Sequence, residues 1–260
     1  MIPHILHFIW LGGKPVPKII KSWIDNHKNW EVKIWTEENL KLNYINNHIN
    51  NIHKKRYNQK SDIIRLELLY RYGGVYVDTD ILSIKNISKL LDNCDVFFIQ
   101  EKLGLISNSI IGSIRKNNVI LNIIKYININ FDENIAVWKS TGPMAITNCL
   151  LKYKYIKIPK SHTNYDILSN INNLTIYPYY YTNFMQNTIK TCLNSPLNLS
   201  LISANKDKKY FYSNDINIKN IYALQLWFGG KSKNYEKIIN ENIIIDNLKL
   251  YLSLLQNNKF

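Results

Sequence analysis

Cysteine is scarce in this chain, three residues in 260, and Cys94, Cys149 and Cys192 stand too far apart to form a C-x-x-C pair. An odd, scattered set excludes a disulfide framework and a zinc ribbon and leaves reduced, buried thiols as the expectation. Acidic residues are also few. Nineteen Asp and Glu face 33 Lys and Arg, giving a formal charge of +14. A positive field suits a diphosphate ligand, an anionic membrane surface or nucleic acid. The lysines are scattered, however, and no zinc-finger or RNA-recognition signature appears, so no nucleic-acid partner is expected. No apolar run reaches the ~18 residues of a membrane span. The opening Met1-Ile2-Pro3-His4-Ile5 lacks the basic segment and apolar core of a signal peptide. Together these absences predict a cytoplasmic protein, bacterial or in the cytosol of a viral host, with peripheral membrane contact left open.

The chain has enough apolar residues for a core. It is 46% hydrophobic and 12% aromatic, which excludes a disordered chain despite Asn-rich stretches such as residues 43–51. Those stretches read as codon bias, and no internal repeat is evident. Strand and helix signals alternate. Ile5 to Trp10 reads as a strand closed by Gly12-Gly13; a helix from Pro17 shares Ile20, Trp23, Ile24 and His27 on one face; Val32 to Trp35 is the next strand. Asp95 to Ile99 is a further strand, Val119, Ile123, Tyr126 and Ile127 form a helical stripe, and Ser140 is placed to cap a helix near Pro143. Residues 159–185 read as loops shaping an acceptor pocket, and Ile238 to Leu255 as a closing helix. An α/β fold follows, a mixed, mostly parallel sheet flanked by helices in a single domain. Residues 1–150 form its ligand-binding core and 151–260 its acceptor-side elaboration.

The most informative stretch is Ser61-Asp62-Ile63-Ile64-Arg65 to Tyr72, then Gly73-Gly74 and Val75-Tyr76-Val77-Asp78-Thr79-Asp80. It predicts an amphipathic helix capped by Ser61, with Ile63, Leu66 and Tyr70 on its apolar face, stopped by two glycines. A strand follows in which Tyr76, Asp78 and Asp80 share a side. The helix climbs about 17 Å at ~1.5 Å per residue and the strand returns about 13 Å at ~3.3 Å per residue. Antiparallel packing would therefore gather Asp62, Arg65, Tyr76, Asp78 and Asp80 at one end, where ligands bind in open α/β sheets. Carboxylates one residue apart can hold Mg2+ or Mn2+, whose remaining positions fall to water and substrate phosphate. The same triplet also suits a plain polar turn. A phosphatase-like hydrolase, with Asp78 as nucleophile, is a remote alternative, since that family places Thr or Val where this chain has Leu82.

With these residues in view, the chain resembles the glycosyltransferase family that carries a DXD sugar-binding motif, and the glucosyltransferase domains of large clostridial toxins. The resemblance runs through His7-Phe8-Ile9-Trp10-Leu11-Gly12-Gly13, Ser61-Asp62-Ile63-Ile64-Arg65, Tyr76-Val77-Asp78-Thr79-Asp80 and Thr141-Gly142-Pro143, with a weaker echo from Leu174-Thr175-Ile176-Tyr177-Pro178 to Leu226-Trp227-Phe228-Gly229-Gly230. It implies a GT-A fold, a nucleotide-diphosphate sugar donor, Mn2+ or Mg2+ dependence, and transfer of a hexose with retention to a carbohydrate or lipid-linked glycan acceptor, as in polysaccharide assembly. By matching position Trp10 would stack on the nucleobase, Asp62 and Arg65 would contact ribose and sugar, and Tyr76 would line the nucleoside pocket. Asp78 would touch ribose or donor sugar, and Asp80 would be the main metal ligand, making Asp78 and Asp80 the catalytic pair. Where relatives commonly carry a His two residues before the late Trp, this chain has Gln225. Its neutral carbonyl oxygen is a weaker third metal ligand. A nucleotide-sugar binder with little or no turnover is therefore the alternative. His4 and His7 read as packing or hydrogen-bonding residues.

Overall fold

The computed structural model describes residues 1–50, 52, 56–100, 105–157, 166–167, 174–177 and 222–225. They fall in two compact units, the first built from 1–16, 28–79 and 87–178 and the second from 17–27, 80–86 and 179–260. The expected acceptor loops over most of 159–185, the closing helix over 238–255, and Cys192 lie outside the described residues.

The first unit holds a six-stranded sheet made of β1 (Ile5–Ile9), β2 (Glu31–Trp35), β3 (Gly74–Val77), β5 (Val96–Gln100), β6 (Ile106–Ser113) and β9 (Leu174–Tyr177), in the order β2-β1-β3-β6-β5-β9. Strands β2, β1 and β3 run parallel to one another, and β9 runs parallel to β5. Only β6 is antiparallel, to both of its neighbours. The expected mixed, mostly parallel sheet flanked by helices is the fold observed. Strands β7 (Ile156–Lys157) and β8 (Asp166–Ile167) form a separate small antiparallel pair.

Helices α2 (Tyr57–Tyr72), α3 (Asn118–Asn130) and α5 (Pro143–Lys152), with the single turn α4 (Val137–Ser140), complete this unit. In α3 the expected stripe is the buried face: Val119, Ile123 and Ile127 are inaccessible to solvent and Tyr126 lies partly buried against the same core. Asn117 caps it, its Oδ1 accepting from the Val119 amide at 2.8 Å. Helix α2 departs from expectation in two ways. It begins at Tyr57, a turn earlier than a Ser61 cap would place it. It is also not amphipathic through its middle, since every residue from Asp62 to Leu69 is buried. The reason is tertiary: α2 packs on β1, β3 and β6 on one side and on α3 on the other. Its charged residues are therefore paired. Glu67 Oε1 accepts from the amides of Ile45 and Asn46, at 2.8 and 2.9 Å, and so ties the long β2–α2 connection to the helix. Ser140 likewise corrects the reading of α5. It lies within α4, where its Oγ donates to the Asp132 carbonyl, and Gly142 is the residue before Pro143.

Gly73 and Gly74 make the turn from α2 into β3 with φ of 66° and 95°. A Cβ on Gly74 would stand 2.6 Å from the Ile5 carbonyl oxygen of β1, so only glycine lets β3 enter the sheet there. His7 secures the same turn from below: Nε2 donates to the Gly73 carbonyl at 2.8 Å and Nδ1 accepts from Trp35 Nε1 at 3.1 Å. A carbonyl can only accept and an indole N–H only donate, so the ring is fixed as the neutral Nε2–H tautomer. Burial lowers its pKa to about 4. His4 stacks on Trp30 with ring centroids 4.6 Å apart. Both histidines are structural, as expected.

In the second unit the described elements are α1 (Ile20–Asn26), β4 (Ile81–Ser83) and β10 (Ala223–Gln225), with β4 and β10 antiparallel. Trp23 is the anchor, fully buried, its Nε1 donating to the Ile81 carbonyl at 2.7 Å. Ile20 and His27 are buried beside it, but Ile24 is 43% exposed and does not share that face as expected. Seven residues make less than two full turns, and Ile24 falls off the edge of the stripe. No described helix is long and apolar enough to cross a membrane.

Candidate functional site

The second turn of α2, the end of β3 and the middle of β6 meet in one polar cluster within the first unit. Arg65 is its centre. Its Nε donates to the Ser61 carbonyl at 3.1 Å, its guanidinium lies 2.9 Å from Asp62 Oδ1 and 3.2 Å from Asp78 Oδ1, and its Cζ sits 4.4 Å from the centroid of the Tyr76 ring. A further short hydrogen bond runs from Arg65 to the Asn108 carbonyl. The planar fork satisfies carboxylates, carbonyls and an aromatic face together, which a lysine ammonium could not do. The strand alternation holds as expected: Tyr76 and Asp78 share a side, and the Tyr76 hydroxyl donates to Asp78 Oδ1 at 2.6 Å.

Asp62 is held from every direction. Asn108 Nδ2 donates to Oδ1 at 2.7 Å and Thr141 Oγ1 donates to Oδ2 at 2.8 Å, beside the Arg65 pair. Burial pushes its pKa up to about 6 even against the Arg65 charge and those hydrogen bonds. Burial also pushes Asp78 up, opposed by Arg65 and the Tyr76 hydroxyl. The Tyr76 phenol is driven well above its usual range by the same loss of solvent. Asp78 remains a quarter exposed, and its Oδ2 makes no hydrogen bond among the described residues. With both carboxylates ionised against one guanidinium, the cluster carries one net negative charge, which favours a cation at its open edge.

Asn108 and Thr141 enter the cluster without having been singled out for it. Thr141 was read only as part of Thr-Gly-Pro. Asn108 had a signal in the chain, the polar run Ser107-Asn108-Ser109 inside an apolar segment, and every residue of β6 is buried. The β5–β6 pairing jumps from Phe98↔Ile111 to Ile99↔Ser107, which releases residues 108–110 from β5. Asn108 is thereby free to serve Asp62, while the Ser109 carbonyl accepts from the Asp78 amide at 2.8 Å.

The remaining expected residues are set by other elements. Trp10 follows β1 and is half-buried; its amide donates to the Trp35 carbonyl at 2.8 Å and its Nε1 to the Lys14 carbonyl at 2.7 Å. Gly12 is held in a left-handed turn beside it, its amide donating to Glu37 at 2.7 Å. Asp80 is half-buried and opens the β4 segment of the second unit, two residues along the chain from Asp78. Gln225 ends β10 in that unit, with its Oε1 buried and without a hydrogen-bond partner among the described residues. Among the described residues no group of three or more His, Cys, Asp or Glu could hold a metal by itself. Carboxylates of the DXD type nevertheless suit a hard cation that takes its other ligands from water and phosphate.

Residues 13–97 match the family described as glycosyltransferase sugar-binding region containing DXD motif. Asp78-Thr79-Asp80 falls within the matched residues. Among curated relatives it is 26% identical over 158 residues to inositol phosphoceramide mannosyltransferase 3 of Schizosaccharomyces pombe, covering 56% of this chain and 44% of the relative. It is also 26% identical to an uncharacterized glycosyltransferase, L373, of Acanthamoeba polyphaga mimivirus, covering 59% and 66%. The chain spans about half the length of the curated relatives it matches. Among solved structures, the PaToxG glycosyltransferase is similar at 21% identity and a TM-score of 0.49, over 58% of this chain and 70% of that one.

Proposed function

We propose that this protein is a metal-dependent retaining glycosyltransferase that moves a hexose from a nucleotide-diphosphate sugar to a carbohydrate or lipid-linked glycan. The observation that carries this reading is the cluster itself: a DXD aspartate held beside Arg65, Tyr76 and Asp62 at the carboxyl end of a central strand. The family match over 13–97 and relatives named as mannosyltransferases support it.

In this reading the DXD carboxylates Asp78 and Asp80 would hold Mn2+ or Mg2+, and the ion would supply charge neutralisation at the departing diphosphate. The chain's own residues do the rest. Asp62 and Asp78 accept hydrogen bonds from ribose or sugar hydroxyls. Arg65 holds both carboxylates in place and adds positive charge near the forming leaving group. Tyr76 walls the nucleoside side, and Trp10, beside the exposed Gly12-Gly13 turn, stacks on the base. The protein acts in the cytoplasm.

Incubation with Mn2+ and a panel of nucleotide sugars, followed by assay of free nucleotide, tests this. Slow release with one donor is expected, and Asp80→Asn should abolish it while leaving the melting temperature in place. Full activity in Asp80→Asn would remove the metal-ligand role. Donor binding without any release would favour the second reading, a binder without turnover, to which Gln225 points.

A further inference from the structure

A second polar feature lies at the other end of α2. A cavity of about 510 Å3 is lined by Ile45, Tyr70, Arg71, Tyr72, Arg115 and Lys116. Arg71 lies nine residues beyond Asp62, about 13 Å along the axis at ~1.5 Å per residue, so the cavity is distinct from the DXD cluster. Its volume falls within the roughly 300–1,000 Å3 of small-ligand sites.

The charge in this cavity is unbalanced. Among the described residues three cationic side chains line it and no carboxylate does. Glu67 lies behind the wall, fully buried, its Oε1 committed to the Ile45 and Asn46 amides and its Oε2 3.7 Å from Arg71. Arg71 Nε is buried and has no hydrogen-bond partner among the described residues. Arg115 and Lys116 form no ion pair among them. Arg71 has Glu67 as its counter-charge, whereas Arg115 and Lys116 add two cations that have none among the described residues, and the buried Arg71 donor without an acceptor is costly. The carboxyl end of a helix would itself disfavour an anion, but two of the last-turn carbonyls of α2 and that of its cap Gly73 are already occupied. Leu69 accepts from Gly73, Tyr70 from Lys116, and Gly73 from His7. The lining residues supply guanidinium, ammonium and phenol groups, the donor set of a phosphate site.

We propose that this cavity is a second anion site, which takes a phosphate or diphosphate group, either free in solution or carried on a lipid headgroup. It stands independently of the glycosyltransferase reading. The test uses the full chain carrying Asp80→Asn, without divalent metal, so that a DXD-bound donor cannot contribute. Pyrophosphate is titrated by calorimetry, and flotation is measured with phosphatidylcholine vesicles containing either phosphatidic acid or phosphatidylserine. The double variant Arg115→Ser, Lys116→Asn removes two exposed cations, and Asn tolerates the left-handed backbone at 116. A control, Lys28→Ser with Lys125→Ser, removes equal charge elsewhere.

Saturable pyrophosphate binding that falls about tenfold or more in the double variant and holds in the control is expected, since two charge-assisted hydrogen bonds are lost. The same variant dependence on phosphatidic acid vesicles alone would assign the lipid headgroup as the source. Equal losses in the two variants, unchanged affinity in the double variant, or no binding of either probe would each overturn the proposal.

Discussion

At the scale of single residues, Asp62 and His7 pull the stability of the fold in opposite directions with pH. Asp62 has a folded pKa of about 6 against an ordinary 3.8. The folded state therefore keeps a proton that the unfolded chain has lost, and the stability this confers, full below pH 4, disappears as pH rises through 6. His7 has a folded pKa of about 4 against 6.5. Its contribution is present above pH 6.5 and is lost as pH falls through 4. Each gap corresponds to on the order of 3 kcal/mol. In the metal-free protein, Asp62→Asn should make urea stability rise more steeply with pH between 4 and 6 than in the parent, and His7→Gln should make it rise less or fall. Parallel pH profiles for parent and variants would contradict the protonation states assigned to these two groups. The thiols are a simpler case. Burial raises Cys94 to about 11 and Cys149 to about 12, so neither should react with iodoacetamide at neutral pH until the protein unfolds, as mapped by mass spectrometry.

At the scale of elements, the α2–β3 hairpin sets the site, and its two glycines are not equivalent to those after β1. Gly74→Ala places a methyl 2.6 Å from a neighbouring strand's carbonyl at φ 95°, whereas a Cβ on Gly13, at φ 67°, meets nothing within 4 Å. Gly74→Ala should cost at least about 2 kcal/mol and Gly13→Ala about 1 kcal/mol, read as shifts in urea midpoint. The positions of both turns were legible in the chain, because Gly-Gly after an apolar run punctuates any element. The burial of α2 on all sides was not. Its Asp62, Arg65, Glu67 and Arg71 give it the charge pattern of a surface helix, and only the packing of α3 across its back shows that these charges are paired inside. Helix α1 fails in the opposite sense: Ile24 follows the apolar period but is 43% exposed.

At the scale of the molecule, the charge of +14 belongs to the surface and to the anions it attracts. Among the described residues the core is aliphatic and aromatic side chains and no element is joined through a metal. Chelation by EDTA should therefore stop nucleotide release and leave the far-UV spectrum unchanged, with Mn2+ restoring release. Loss of helix on chelation would mean that the ion is structural.

The order of strands and helices, the glycine stops and the pairing of Tyr76 with Asp78 were set by the sequence alone, because side-chain period and backbone sterics act over a few residues. Asn108 and Thr141 reached Asp62 only through the tertiary structure. They stand 46 and 79 positions away, and it is the register jump between β5 and β6 and the packing of α5 that close those distances. The basic cavity at the end of α2 was decided in the same way. Charges from two separate segments, the end of α2 and residues 115–116, count as a site only when the fold brings them together.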